Sequence, residues 1–295
     1  MMRWGLMVGC LFDTRSPSTG LKNLRNSEMN RREVLLALGA AAAGAAGTYF
    51  TMARPHPRGI YLQMGTSITA GVTPEAGLTP ALVGDHLGMV GINAGLYGAC
   101  AARRTVPGVD QLALFALVDA VISGDWSRQA SESNPVVRTN ISNLAKADLS
   151  KVSYLGLEYG ANDYAYNCPI GHASDVDCGT FKGALNYSLS KLSDAFPNLR
   201  MFLITPSWRL TTKELDSDTN PNDIGLFLKD YVDALIDVAE RYHIPCLDMW
   251  RTLGINIHNY KALTIDGIHP NDEGAVRRAD VISSFIRATF AGDQG

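Results

Sequence analysis

The chain contains 295 residues, of which 46% are hydrophobic and 19% are charged, as is ordinary for a globular protein. Its 26 lysine and arginine residues nearly balance 29 aspartate and glutamate residues, which leaves a formal net charge of −3. This balance gives no indication of a nucleic-acid partner or of binding to an anionic surface, and the length allows a large buried core.

The N-terminal stretch differs in composition from the rest of the chain. Arg31 and Arg32 precede an uncharged run rich in alanine and glycine, which is the order of a bacterial export signal and resembles a twin-arginine signal. Residues 29–57 are therefore predicted to be an export signal or a membrane anchor, because the run at residues 34–53 is about long enough to span a bilayer. Residues 1–28 fit neither interpretation and are best explained as a mis-assigned upstream start. An exported protein, periplasmic or extracellular, is expected, with a membrane tether as the alternative to cleavage.

Five short apolar runs, each bounded by glycine, proline or asparagine, are predicted to be β-strands. Runs of this kind are typical of strands that are buried on both faces of a parallel sheet. In chain order they are residues 59–65, 88–96, 151–160, 198–206 and 244–250.

Helices are predicted between and after these strands. An apolar stripe at i, i+3, i+4 and i+7 spacing marks residues 224–239 and again residues 276–290, and a weaker pattern marks residues 111–122 and 181–196. Strands that alternate with helices form βαβ units. Residues 58–295 are therefore predicted to be one α/β domain, a three-layer α/β/α sandwich around a mostly parallel five-stranded sheet.

Polar residues just after the strand ends are the candidates for a site, because ligands of such sheets bind outside the carboxyl ends of the strands. Ser67 lies in "MGTSITAG" after the first strand, Gly98 in "NAGLYGA" after the second, and Asn162 in "LEYGANDY" after the third. Asp266 and His269 lie in "DGIHP" before the last helix. Each residue has a simpler structural interpretation as a helix cap, a glycine turn, an Asx-turn or a polar loop. The glycine spacing after the second strand is not that of a dinucleotide-binding loop.

Taken together and in this order, the four blocks "GTSIT", "NAGLYGA", "GAND" and "DGIHP" resemble those of the SGNH hydrolases, the GDSL esterase/lipase family. The resemblance extends from about residue 59 to residue 290 and implies a flavodoxin-like fold. It places Ser67 at the nucleophile position, Asp266 and His269 at the other two triad positions, and Ser67, Gly98 and Asn162 at the oxyanion hole.

One departure from the family pattern is Thr66, which stands where the family usually has the aspartate of Gly-Asp-Ser. That carboxylate orders the nucleophile turn and is not a triad member. The substitution therefore bears on efficiency and substrate range more than on the class of reaction.

The chemistry expected from these residues is hydrolysis of a carboxylic ester through an acyl-enzyme. A serine hydroxyl needs a base, a histidine needs an orienting carboxylate, and the oxyanion needs donors placed in advance. Expected substrates are small-molecule, lipid or carbohydrate esters, and no cofactor is expected. Two alternatives remain: transfer of the acyl group to an envelope glycan by the same residues, and a non-catalytic glycan-binding protein.

Three aromatic residues, Tyr164, Tyr166 and Trp208, are predicted at the rim of the crevice, where they could contact substrate; the alternative is that they cover the edge of the core.

Cysteine and metal-ligand patterns are less informative. Cys168 and Cys178 bracket a polar loop that a disulfide could close in an oxidising compartment, although two free thiols explain the pattern equally well. No CxxC pair is present, which argues against a structural zinc site. His172, Asp175 and Asp177 could ligate a metal, but a solvated loop is the simpler interpretation and no metal is predicted.

Overall fold

The computed structural model describes residues 57–73, 78–104 and 110–293, all of which belong to the compact unit Pro55–Gly295. The predictions for residues 1–28 and 29–57, including the tether at residues 34–53, lie outside these residues apart from residue 57. Among the helices of the described ranges, none combines the length and the apolar character needed to cross a membrane.

All five predicted strands form, and they make one parallel sheet in the order β2-β1-β3-β4-β5. The strands are β1 Ile60–Gly65, β2 Val90–Gly95, β3 Tyr154–Glu158, β4 Arg200–Ile204 and β5 Cys246–Leu247. Each strand is shorter than its apolar run. The difference is largest for β5, because the Asp248 carboxylate accepts from the backbone N–H of Arg251 at 3.0 Å and starts a helix directly after Leu247.

The register of the sheet brings three of the motif-bearing strand ends side by side. Gly65 pairs with Gly95 of β2 on one side and with Glu158 of β3 on the other. The segments that carry Ser67, Gly98 and Asn162 therefore leave the sheet at the same edge, as expected for parallel strands.

Ten α-helices occur in the described residues: α1 Ser67–Ala70, α2 Thr79–Leu87, α3 Leu114–Ser123, α4 Pro135–Lys146, α5 Ala161–Ala165, α6 Phe181–Ala195, α7 Leu228–Arg241, α8 Met249–Thr252, α9 Tyr260–Leu263 and α10 Asp272–Thr289. Short 3₁₀ turns lie at residues 110–112, 127–129, 149–151 and 291–293.

The helices cover both faces of the sheet, which confirms the predicted three-layer α/β/α sandwich. Alternate residues of each strand point to opposite faces and form two cores. Leu62, Leu155 and Leu203 pack with α3, α4, α6 and α7 on one face. Tyr61 and Phe202 pack with α2 and α10 on the other.

Three of the four predicted helices begin at other residues, and the longer helices α2 and α4 were not predicted, nor were several helices of five residues or fewer. Helix α7 starts at Leu228 and not at Ile224, because the Asp230 carboxylate accepts from the backbone N–H of Phe227 at 2.7 Å and fixes the first turn there. Helix α4 was missed although Asn134 caps its first turn and a proline occupies its first position, which is a typical helix start.

Candidate active site

Ser67 is the first residue of α1, the short helix that leaves β1 at the carboxyl edge of the sheet. Thr66 precedes it in extended conformation, and its hydroxyl oxygen accepts from the backbone N–H of Ile68 at 3.2 Å. This threonine therefore caps the helix that begins with Ser67 without contributing a charge. Among the described residues, no acceptor lies within hydrogen-bond distance of the Ser67 backbone N–H.

His269 and Asp266 lie on the loop before α10, and the structure brings both to Ser67. Oγ of Ser67 lies 3.0 Å from Nε2 of His269, and Nδ1 of the same ring lies 2.7 Å from Oδ2 of Asp266. Because a carboxylate only accepts hydrogen bonds, Nδ1 carries the ring proton and Nε2 is left to accept the proton of Ser67.

The second oxygen of Asp266 is held by the backbone of its own loop. Oδ1 accepts from the N–H groups of Ile268 and His269, at 2.9 and 2.8 Å. Partial burial raises the pKa of the Asp266 carboxyl, but the hydrogen bonds and charge of His269 and the Ile268 N–H outweigh it, so the net pKa lies below the usual value. The carboxylate is therefore ionised and fixed in orientation at neutral pH.

Gly267 anchors the loop between the aspartate and the histidine. Its φ of +79° suits glycine, and a Cβ at this position would lie only 2.4 Å from a methyl carbon of Leu210. Its carbonyl accepts from the backbone N–H of Leu210 at 2.8 Å, and its own N–H donates to the hydroxyl of Thr264 at 3.1 Å. The segment after β4 thus holds the Asp-His loop in place.

Gly98 and Asn162 lie on adjoining segments at the same edge of the sheet. Gly98 has a φ of +71°, and a Cβ built on it would meet only the hydroxyl of Tyr166, at 3.9 Å. The side-chain amide of Asn162 donates one hydrogen to the carbonyl of Ala99 at 2.9 Å. That bond fixes the orientation of the amide and leaves its second N–H available for a ligand.

Asp163 joins these two segments and was not predicted as a site residue. The carboxylate is fully buried and accepts from the backbone N–H groups of Gly160, Ala101 and Ala102, at 3.1, 3.1 and 2.9 Å. Burial raises the pKa of Asp163 to about 6, and the three N–H donors oppose that change. The aspartate of "GAND" therefore ties the Gly98 loop to the helix of Asn162.

Of the three aromatic residues predicted at the crevice rim, one is exposed and two are buried. Tyr166 is exposed, lies beside Gly98 and carries the guanidinium of Arg104 over its ring at 3.5 Å from the centroid. Tyr164 is buried, and its hydroxyl donates to the carbonyl of Asn220 at 3.0 Å beside a polar pocket of about 190 Å³. Trp208 is also buried, and its indole N–H donates to the Asp216 carboxylate at 2.8 Å. For these two the core-edge interpretation is correct.

Of the two alternatives for Cys168 and Cys178, the structure has the free thiols and not the disulfide. Cys168 lies instead in a buried group with Cys100 and Asp163. The two Sγ atoms and a carboxylate oxygen of Asp163 lie within 4.8 Å of one another. The spacing alone would suit a metal ion, but both oxygens of Asp163 already accept backbone hydrogen bonds. The group is therefore explained by its role in holding the loop.

The loop of His172 is organised by its own carboxylates. Asp175 accepts from the backbone N–H of His172 at 2.8 Å, and Asp177 accepts from the backbone N–H of Gly179 at 3.0 Å. In the part of the chain that the structure describes, none of these residues belongs to a group with metal-ligand spacing.

Arg209 is a further residue that sequence reasoning missed, and no recognisable pattern marks it. Its guanidinium is buried and donates to the carbonyls of Leu210 and Ala161, at 2.9 and 3.3 Å. It therefore connects the segment that holds the Asp-His loop to the helix of Asn162. Burial lowers the pKa of Arg209, while the nearby Tyr164 and Asp266 oppose that change.

Solved structures share this fold at low sequence identity. A protein from Lactobacillus plantarum is 20% identical with a TM-score of 0.58, over 79% of this chain and 98% of its own. A protein described as a possible lipase from Chitinophaga pinensis is 17% identical with a TM-score of 0.52, over 78% and 98%. A carbohydrate acetylesterase from Sinorhizobium meliloti is 16% identical with a TM-score of 0.51, over 79% and 100%. No curated protein sequence matches the chain.

The family assignment rests on the sequence itself. Residues 64–277 match the GDSL-like lipase/acylhydrolase family, and this span includes every block from "GTSIT" to "DGIHP". The match covers well over half of the chain, and the α/β/α sandwich agrees with it. The chain is a hydrolase that belongs to the GDSL-like lipase/acylhydrolase family.

Proposed function

We propose that the protein is a serine esterase that hydrolyses carboxylic esters through an acyl-enzyme on Ser67. The observation that carries the proposal is the continuous chain of hydrogen bonds from Ser67 through His269 to Asp266, at 3.0 and 2.7 Å. Both distances are within normal hydrogen-bond range, and the loop geometry fixes the direction of each bond.

In the first step Oγ of Ser67 attacks the ester carbonyl carbon while Nε2 of His269 takes the hydroxyl proton. The imidazolium that forms is stabilised by the ionised Asp266 across the 2.7 Å bond. The same proton then passes from His269 to the leaving alcohol, which departs as the acyl-enzyme forms.

The negative charge that develops on the carbonyl oxygen needs donors that are already in place. The backbone N–H groups of Ser67 and Gly98 and the second amide N–H of Asn162 are the three candidates. Each lies at the carboxyl edge of the sheet, and none is used by an acceptor among the described residues. Preorganised donors of this kind are usually the largest single contribution to such a reaction.

Hydrolysis of the acyl-enzyme repeats these chemical steps with water in place of the Ser67 hydroxyl. His269 takes a proton from the water, which attacks the acyl carbon, and returns that proton to Oγ of Ser67. The net reaction converts an ester and water to a carboxylic acid and an alcohol.

We further propose that the substrates are esters of lipids, carbohydrates or small alcohols outside the cytoplasm. The N-terminal pattern around Arg31 and Arg32 supports the compartment. The exposed Tyr166, with Arg104 stacked on it beside Gly98, offers a flat surface against which an acyl chain or a sugar ring could pack.

The test is release of p-nitrophenol from acetyl, butyryl and longer esters by the wild-type protein and its Ser67→Ala variant. Turnover by the wild type and loss of turnover in the variant are expected, and the preferred chain length then defines the acyl pocket. A folded wild-type protein that hydrolyses none of these esters would contradict the proposal.

A further inference from the structure

A cluster of buried polar side chains lies beneath the nucleophile helix, within an otherwise apolar core. Its members project from β1, α1, β3 and α10, and all are buried. We define the Glu158 cluster as Tyr61, Gln63, Thr69, Glu158 and Arg278.

Glu158 is the centre of the cluster and uses both of its oxygens. Oε2 accepts from the hydroxyl of Thr69 at 2.7 Å and from the amide of Gln63 at 2.9 Å. Oε1 accepts from Nη2 of Arg278 at 2.6 Å. Gln63 is held in turn by the hydroxyl of Tyr61, which donates to its Oε1 at 2.8 Å. The carboxylate thus binds two separate helices at once.

The two helices are those that carry or follow the two reacting side chains. Thr69 lies on α1, which begins with Ser67. Arg278 lies on α10, which begins just after His269. Glu158 itself ends β3, directly before the turn that leads to Asn162.

Gly65 makes the contact between α1 and β3 possible. A Cβ on Gly65 would lie 2.2 Å from the Thr69 hydroxyl and 3.0 Å from the carbonyl of Glu158. Any side chain here would therefore push the nucleophile helix away from the carboxylate. The glycine before "TSIT" has a packing role as well as a place in the turn.

Stability alone is a poor explanation for the cluster. The side chains of Arg278 and Glu158 are 1% and 4% exposed, and Nε and Nη1 of Arg278 have no partner among the described residues. Burying an incompletely bonded ion pair generally costs as much as it returns, and an apolar pair of similar size would stabilise the core at least as well. Together with the bond from Thr69, the pair connects α1 to α10 through Glu158.

We propose that Glu158 is a positioning residue, which sets the placement of Ser67 relative to His269 through Thr69 on one side and Arg278 on the other. The inference rests on the proposed esterase function. Nucleophilic attack depends steeply on such placement, since reacting atoms must approach to about 3–3.5 Å in alignment.

Thr69 is the residue to change, because removing Glu158 or Arg278 leaves a buried unpaired charge that can prevent folding. Thr69→Val keeps the shape and removes only the hydroxyl, whereas Thr69→Ser keeps the hydroxyl. Thr79→Val is the matched control, since Thr79 is also buried and its hydroxyl donates to the Ala275 carbonyl at 3.4 Å, a bond that involves no member of the Glu158 cluster. The readouts are kcat and KM on p-nitrophenyl esters, the rate at which a fluorophosphonate labels Ser67, and Tm.

Thr69→Val is expected to lower kcat and the labelling rate about tenfold, the equivalent of one hydrogen bond to a charged group, with KM little changed. Thr69→Ser should recover most of both rates, and Thr79→Val should lower Tm without this loss. A Thr69→Val protein that loses Tm but keeps the wild-type kcat and labelling rate would reduce the cluster to a structural feature. If the wild type neither hydrolyses an ester nor becomes labelled, the esterase proposal fails, and this inference fails with it.

Discussion

Asp266 performs two tasks with its two oxygens, and this division allows a sharp test at the residue scale. In an Asp266→Asn variant the amide oxygen can keep the bonds from the backbone N–H groups of Ile268 and His269, which turns the NH2 group toward Nδ1 of His269. The ring must then carry its proton on Nε2, where it can no longer accept the proton of Ser67. We expect kcat to fall about 10⁴-fold, the loss seen for this change in other Ser-His-Asp sites.

Steady-state kinetics on p-nitrophenyl esters provide the measurement for Asp266→Asn. Asp280→Asn is the control, because Asp280 is an exposed aspartate farther along the helix that follows the site. If Asp266→Asn kept more than a tenth of the wild-type kcat, Asp266 would not be the residue that orients His269.

Asn162 can be tested in the same assay. Its replacement by alanine removes the second amide N–H, which we propose as an oxyanion donor, and also the bond to the Ala99 carbonyl. We expect kcat to fall about 100–1000-fold with a small change in KM, since the donor acts on charge that develops only in the transition state. Asn143→Ala is the control, because that amide bonds the carbonyl of Asn93 on β2. Equal losses in the two variants would argue against an oxyanion role.

The sequence predicted the positions of Ser67, Asp266 and His269 better than those of the aromatic residues predicted around them. Ser67 follows a strand end at the carboxyl edge of the sheet, and the contact between Gly267 and Leu210 holds the loop of Asp266 and His269 beside it. Tyr164 and Trp208 also follow strand ends, yet both point into the core. An aromatic ring with one polar atom suits either position, so local sequence cannot decide between them.

At the scale of elements, the Gly98 loop and α5 are joined by one buried carboxylate, and this has a consequence for stability. The pKa of Asp163 is raised to about 6 in the folded protein, above the value near 3.9 of an unfolded aspartate. Between these two values the folded state binds more protons than the unfolded state, so the free energy of unfolding falls as pH rises. Since one pKa unit corresponds to about 1.4 kcal/mol and the unfolded aspartate is already about half ionised at pH 4, Asp163 should lower stability by about 2 kcal/mol between pH 4 and pH 7.

Urea unfolding of the wild type and of Asp163→Asn across this range tests the prediction. The stability of the wild type relative to the variant should decrease from pH 4 to pH 7, because asparagine does not titrate. Parallel curves for the wild type and Asp163→Asn would contradict the assignment of the raised pKa.

The apolar pattern predicted that these helices exist better than it predicted where they begin. The weaker pattern of α6 gave its bounds within a residue, whereas α10 begins at Asp272, four residues before its apolar stripe. Helix α2 was not predicted, and the start of α7 was misplaced because the cap on Phe227 overrides the apolar stripe. The hydrophobic periodicity of a helix indicates which of its faces is buried, whereas the capping residues decide where the helix begins.

At the scale of the whole molecule, the α/β/α sandwich was predictable and its buried polar cluster was not. Runs that are apolar on both faces require a parallel sheet with helices on both sides, whatever the strand order. Nothing local marks Glu158 and Arg278 as partners, because they are far apart in the chain and each alone resembles an ordinary surface charge. Only the folded sheet shows that one carboxylate connects the nucleophile helix to the helix after His269.

The compartment is the prediction that involves the whole chain. A twin-arginine signal is read through its paired guanidinium groups, so replacing both Arg31 and Arg32 by lysine keeps the charge while removing the recognised groups. In a bacterium with an intact twin-arginine pathway, we expect the wild type outside the cytoplasm and the double variant inside it. Immunoblots of cell fractions measure this independently of esterase activity.

Replacing Arg15 and Arg25 by lysine provides the matched control, because both lie in residues 1–28, which are predicted not to belong to the signal. That variant should be exported like the wild type. The mass of the exported protein then decides between the two forms of export. A chain that begins near Ala53 indicates cleavage, whereas a chain that keeps residues 34–53 and sediments with membranes indicates a tether. Wild-type protein found only in the cytoplasm would exclude both, and the ester substrate would then have to be an intracellular one.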